Sequence, residues 1–146
     1  MSDGSGEITI DGSCHCGNIR FAFTLPDPGG LIPARTCGCS FCRKHGAAHT
    51  SHPDGRLRIQ LADADAVNRY RFGTGTADFL VCTRCGVEPA VTSEIDGRLY
   101  AVVNVNCFEG IGHDQLDFGS ADFEGEGTDN RLARRQRNWI GDVTIA

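Results

Sequence analysis

The sequence predicts a mainly β fold with little helix, and three observations carry that expectation. Turn signals punctuate the whole chain, short strand-like runs lie between them, and helical periodicity is scarce. Nineteen glycines and the turns Pro28-Gly29-Gly30, Asp54-Gly55 and Asp96-Gly97 cut the chain into short pieces. In chain order the strand-like runs are residues 7–10, 19–24, 57–61, 68–72, 77–81, 90–95 and 99–105. The stretch from Glu94 to Leu99 is a hairpin signal, because Asp-Gly suits a type I′ turn between apolar strands. Helix is expected only as one turn at 41–44 and as a polar stretch at 130–138.

With 146 residues and no internal repeat, low-complexity linker or composition break, the chain is expected to form one domain, 1–146. A formal charge of −5 and a pI near 5.4 argue against a general nucleic-acid binder, which shows a basic face. The first ten residues, MSDGSGEITI, have neither a basic start nor an apolar stretch of signal-peptide length, so secretion is not expected. No run approaches the roughly 18 apolar residues that span a bilayer. The expected compartment is the cytoplasm, where thiols stay reduced, and eight cysteines there point to metal rather than to disulfides.

Seven of those cysteines form three tight groups: Cys14-His15-Cys16, Cys37-Gly38-Cys39-Ser40-Phe41-Cys42 and Cys82-Thr83-Arg84-Cys85. Cys107 stands apart and reads as buried packing. Zinc favours four soft ligands in a tetrahedron, two from one turn and two from another. Both Cys14-x-Cys16 and Cys82-x-x-Cys85 end in glycine, as metal knuckles do. Pairing them leaves Cys37, Cys39 and Cys42 as a trio with one open position, the pattern of a catalytic zinc. The alternative, a zinc ribbon of Cys39, Cys42, Cys82 and Cys85, strands Cys14, Cys16 and Cys37. A set of eight buried structural thiols is the third reading.

These groups, together with Gly12-Ser13 before the first, Arg43-Lys44 and Gly46-Ala47 after the second, and Phe79-Leu80-Val81 before the third, resemble the glutathione-dependent formaldehyde-activating enzyme family, which includes centromere protein V. Val103-Asn104-Val105-Asn106-Cys107 and Phe123-Glu124-Gly125 are similar to one branch of it. The resemblance spans about residues 12–125, with a C-terminal extension beyond. It implies a β-tent zinc fold with two zincs per chain. Cys14, Cys16, Cys82 and Cys85 would hold a structural ion, and Cys37, Cys39 and Cys42 a labile, catalytic one. It also implies a carbon–sulfur lyase activity that joins a small-molecule thiol, glutathione, to the aldehyde formaldehyde as S-hydroxymethylglutathione. The chain departs from the family pattern at Gly38, where histidine is common, and at His49, where an aromatic residue is usual.

Around the trio, His45 and His49 are candidate proton shuttles, since a histidine titrates near neutral pH. His52 follows His49 on what reads as the same strand. Arg43 and Lys44 are candidate substrate-binding residues that would attract an anionic thiol; a solvated turn is the plain alternative. Arg131, Arg134, Arg135 and Arg137, near Trp139, read as an exposed helical face, with a phosphate or partner contact as the alternative. Gly73-Thr74-Gly75 has no Walker lysine and reads as a hairpin loop. The competing function is a zinc-stabilised binding module in which both ions are structural.

Overall fold

The computed structural model describes residues 6–37, 39–121 and 126–146; Gly38 and the Phe123-Glu124-Gly125 motif lie outside them. The fold is mainly β, built from two sheets. One has four strands in the order β1 (Glu7–Ser13), β2 (Ile19–Pro26), β5 (Arg56–Leu61) and β11 (Asp142–Ile145). The other has seven, in the order β10 (Leu116–Ala121), β3 (Ile32–Cys37), β4 (Ala48–Thr50), β9 (Arg98–Asn104), β8 (Ala90–Ile95), β7 (Asp78–Cys82) and β6 (Val67–Tyr70). Two α-helices complete it, α1 (Ser40–His45) and α2 (Thr128–Asn138).

Alternation with period two explains the small sheet. Ile19, Phe21, Phe23 and Leu25 of β2 point inward and are buried, as are Leu57 and Ile59 of β5. The register sets Phe21 opposite Ile59 and Phe23 opposite Leu57, so apolar side chains meet across the strands. The outward residues Arg56, Arg58 and Gln60 meet water. This inner face packs on Ile32, Ala34, Leu80, Ala90, Ala101 and Val103 of the large sheet to form the main core.

Strands β8 and β9 are buried on both faces, the pattern of central strands covered twice. Their second face carries Val91, Ile95, Tyr100 and Val102, which gather with Ala77 and Trp139 in a smaller cluster beneath α2. The β8–β9 hairpin turns at Asp96 (φ 53°) and Gly97 (φ 81°) with Ile95 paired to Arg98, the left-handed pair that a type I′ turn requires.

The C-terminal segment ties the two sheets together. Ile140, fully buried, exchanges backbone hydrogen bonds of 2.9 and 3.0 Å with Ala101 of β9. Ser51 Oγ donates to the Asn138 carbonyl at 2.8 Å, and β11 then pairs in parallel with β5. Among the described residues no helix is long and apolar enough to cross a membrane.

The expected helical stretch at 130–138 is present, but of its arginines only Arg137 is exposed. Arg134 and Arg135 are 9% and 6% exposed, on the side of α2 that faces the large sheet. Residues three and four apart share a helix face, so Arg131 joins them there. Stacking on Trp139 and hydrogen bonds to the loop before β7 and to β8 make that burial tolerable. His52 lies past the end of β4, where its Nδ1 accepts from the Asp54 amide.

Candidate metal centres and the adjoining cavity

The first cysteine cluster joins two loops that are far apart in sequence. Cys14 and Cys16 occupy the turn between β1 and β2, while Cys82 ends β7 and Cys85 follows in the next turn. Each turn closes on a glycine with positive φ, Gly17 at 85° and Gly86 at 80°, whose amides donate to the carbonyls of Cys14 and Cys82. Non-glycine residues rarely adopt that conformation. The four sulfurs lie within 4.8 Å of one another. Sγ separations are 3.8 Å for Cys14–Cys16 and 3.5 Å for Cys16–Cys82. Tetrahedral zinc with bonds of about 2.3 Å sets its sulfurs about 3.8 Å apart, so the donor set fits.

Proton affinity is uneven across this cluster. Burial pushes the Cys14 thiol up to about 11. Cys85 goes the other way: burial raises it, but the Cys16 and Val87 amides more than offset that and hold it at about 6. The ribbon pairing of Cys39 and Cys42 with Cys82 and Cys85 is not formed, because the latter two lie with Cys14 and Cys16.

The second cluster is local. Cys37 ends β3, Cys39 caps α1 through its sulfur, and Cys42 is the buried residue of that helix. These three sulfurs also lie within 4.8 Å of one another. Backbone amides support the sulfurs, Cys39 N donating to Cys37 Sγ and Cys42 N to Cys39 Sγ, both at 3.4 Å. The Cys42 thiol donates to Cys37 and, against burial, holds it down at about 5; the Cys39 amide and nearby His49 add to that. Cys42 is driven up by the proton it keeps on that bond and by burial, and Cys39 by burial. Three soft donors with an anionic member suit a zinc-like ion. Phe41 fixes the helix by packing on Phe79 at 4.7 Å between ring centroids.

The trio lines a cavity of about 540 Å³ between α2 and the outer face of the large sheet. Sheet residues in its wall include Arg35, His49, Phe79, Val91 and Val102, α2 supplies Arg131, Arg134 and Arg135, and Trp139 follows at its C-terminal cap. Phe72, Gly73 and Thr74 of the β6–β7 loop border it, so the expected hairpin loop is also part of the rim. The register pairs Arg35 directly with His49, and Cys37 is two residues on from Arg35, so all three share one face.

His49 is 5% exposed, and its Nε2 lies 2.9 Å from Oε1 of Glu88, which is fully buried. The Glu88 carbonyl in turn accepts from Asn104 Nδ2 at 2.9 Å. His45 stacks on Phe41 with ring centroids 5.3 Å apart and is not among the residues lining the cavity. Arg43 and Lys44 are exposed on α1, also outside the lining. Cys107 is buried, with its thiol 3.9 Å from the Glu88 carbonyl. Burial, then the Glu88 charge, push that thiol up to about 12.

Sequence reasoning missed Arg35, Glu88 and the cavity-facing role of Arg135. A signal existed for Arg35: Ile32 and Ala34 alternate with Pro33 and Arg35, which puts Arg35 and Cys37 on the face away from the core. None existed for Glu88, whose histidine partner is 39 residues away.

Comparison with known proteins agrees with this arrangement. The profile of the family described as "Glutathione-dependent formaldehyde-activating enzyme" matches residues 9–118. A relative from Halomonas elongata, named "Putative glutathione-dependent formaldehyde-activating enzyme", is 31% identical over 98 residues, covering 53% of this chain and 52% of its own. The chain thus spans about half the length of that relative. A crystal structure of a Rhodobacter sphaeroides protein superposes with a TM-score of 0.58 at 31% identity, covering 76% of this chain and 99% of that one. Helix α2 and strand β11 lie beyond the matched residues. Because the match runs from β1 into β10 and takes in both cysteine clusters, the chain belongs to the glutathione-dependent formaldehyde-activating enzyme family.

Proposed function

We propose that this chain is a two-zinc carbon–sulfur lyase that adds a glutathione-like thiol to formaldehyde or a related small aldehyde, and reverses that addition. The observation that carries the reading is the contrast between the clusters. Cys37, Cys39 and Cys42 line the cavity, whereas none of Cys14, Cys16, Cys82 and Cys85 does; Cys14 and Cys82 are 1% and 0% exposed in the main core, Cys85 packs at its edge and Cys16 is exposed. The four-sulfur cluster would hold a structural ion, and the trio an ion with one position left for substrate. When bound there, zinc supplies Lewis acidity and lowers the proton affinity of a ligating thiol. The chain is read as one domain, 1–146, in the cytoplasm, with the C-terminal extension closing the cavity.

In the forward direction the substrate sulfur forms a bond to the carbonyl carbon, the carbon–oxygen π bond breaks, and the thiol proton ends on the new hydroxyl. No oxidant is consumed. His49 is the residue assigned to carry that proton, because it lines the cavity and Glu88 fixes its ring at Nε2. Phe79, Val91 and Val102 give the cavity its apolar walls and limit water near the reacting carbon. Arg43 and Lys44, exposed on α1, are assigned to drawing an anionic thiol in from solvent. His45, stacked outside the cavity, is the lesser candidate for proton transfer.

Exchange NMR with isotopically labelled formaldehyde and glutathione tests this reading. The protein should speed interconversion of free aldehyde and hydroxymethyl adduct, Cys39→Ala should abolish the gain, and His49→Ala should reduce it by roughly 10²-fold or more. Exchange at the uncatalysed rate with fully metallated protein would favour a binding module instead.

A further inference from the structure

The charge around the cavity is lopsided. Arg35, Arg131, Arg134 and Arg135 line it, and among the described lining residues Glu126 is the single carboxylate. Glu126 is engaged by α2, with Arg134 Nη2 at 3.1 Å and Arg131 Nε at 4.0 Å. The other two guanidiniums differ. Arg135 is 6% exposed, yet its hydrogen bonds go to neutral oxygens: Nη1 donates to the Thr76 carbonyl, Thr76 Oγ1 and Ser93 Oγ at 3.2, 2.8 and 3.1 Å. Among the described residues its Nε is buried without a hydrogen-bond partner, and so is Nε1 of Trp139, on whose ring the guanidinium stacks at 4.9 Å. Arg35 makes no ion pair or side-chain hydrogen bond among the described residues, although it stands beside His49 in the sheet and lines the same wall.

Holding a buried guanidinium with no direct ion pair among the described residues is costly, and an anionic ligand would offset that cost. The volume of about 540 Å³ is that of a small-molecule site. Guanidinium forks match the two or three oxygens of a carboxylate or phosphate. Most of these cations come from α2, beyond the residues that the family profile matches. The subsite therefore joins Arg35, within the matched residues, to Arg135 of the extension.

We propose that Arg35 and Arg135 form an anion subsite in this cavity, and that the chain's substrate is a small molecule carrying a terminal carboxylate or phosphate. Only the placement of the substrate's other end, its thiol, at the cysteine trio rests on the function proposed above.

Trp139 is the single tryptophan of the chain, so its emission reports on the cavity without reference to turnover. Zinc-loaded protein is titrated separately with propionate, inorganic phosphate, 2-mercaptoethanol and 3-mercaptopropionate, and the thermal midpoint is recorded with each. Propionate or phosphate should change the emission saturably and raise the midpoint, and whichever binds more tightly names the anionic group. Arg35→Gln should weaken that anion about tenfold, the worth of one charge-assisted hydrogen bond, while Arg35→Lys recovers part of it. The half-buried Arg35 is the variant of choice because Arg135 is packed inside the fold. If 3-mercaptopropionate binds no better than propionate, the thiol end is lost and the anion subsite stands. Unchanged emission and midpoint with both anions, or equal anion affinity in Arg35→Gln, would overturn the subsite.

Discussion

Replacing Cys82 with serine isolates what the four-sulfur cluster does for the fold. A metal held by Cys16 and Cys82 closes a loop of 66 residues. In the chain-entropy treatment of cross-links, closing a loop of that length removes about 4 kcal/mol of unfolded-state freedom. The trio spans only residues 37–42, and the same relation gives about 2 kcal/mol. With an unfolding entropy of roughly 2.1 cal/mol/K per residue, 4 kcal/mol over 146 residues lowers the thermal midpoint by roughly 13 °C. This is a lower bound, because Cys82 is 0% exposed and its serine hydroxyl would be buried. Cys39→Ala should cost at most half as much. Circular dichroism melts with zinc counted by mass spectrometry on the same samples measure both. A Cys82→Ser protein that keeps two zincs and melts within a degree of the parent would refute the reasoning, as would a larger loss in Cys39→Ala.

Mild chelation should remove the trio's ion first, since three thiolates facing a cavity hold less firmly than four, two of which, Cys14 and Cys82, are buried in the core. A folded species with one zinc per chain is expected by native mass spectrometry, and simultaneous loss of both ions with unfolding would contradict it. Cys107, raised to about 12 by burial, is a neutral thiol at pH 7.5. It should resist iodoacetamide under native conditions even after the trio is stripped, whereas Cys37, held near 5, should label first. Peptide mapping decides this, and equal labelling of Cys107 and Cys37 would count against the burial described. Phe23→Ala removes a fully buried ring from the main core. It should cost roughly 3–5 kcal/mol in urea unfolding while zinc content stays at two; a loss below about 1 kcal/mol would go against that packing.

Much of the fold was legible because its signals are local. The run 19–24 grew into β2, the Asp96-Gly97 turn formed with both residues at positive φ, and the helix ended at Asn138 as expected. Three strands, β3, β10 and β11, were missed, and β4 was read only as a strand carrying His49 and His52, for identifiable reasons. The alternation of β3 covers only Ile32–Arg35 before the exposed Thr36 breaks it, and β4 has only three residues, ending before His52. β10 and β11 are edge strands whose parallel partners lie more than 80 residues away, beyond the reach of any local pattern. The cysteine grouping was readable because metal ligands pair at short spacing within a turn. The cavity was not. It depends on α2 presenting arginines inward, whereas charge on a short polar helix ordinarily faces water. Only Leu132 on the helix, with Trp139 at its C-terminal cap and Ile140 after it, marked the side that packs down.

The central claim is that Cys37, Cys39 and Cys42 hold an ion that accepts a substrate thiol from the cavity. Cobalt substituted for zinc makes this visible, because each added sulfur ligand strengthens the thiolate-to-metal absorption band. Adding glutathione, or a carboxylate-bearing thiol, to the two-cobalt protein should raise that band by the increment of one sulfur, and Cys39→Ala should abolish the change while the four-sulfur spectrum persists. If a panel of biological thiols leaves the spectrum of the fully loaded protein unaltered, the trio is not a thiol site and the proposed chemistry is wrong.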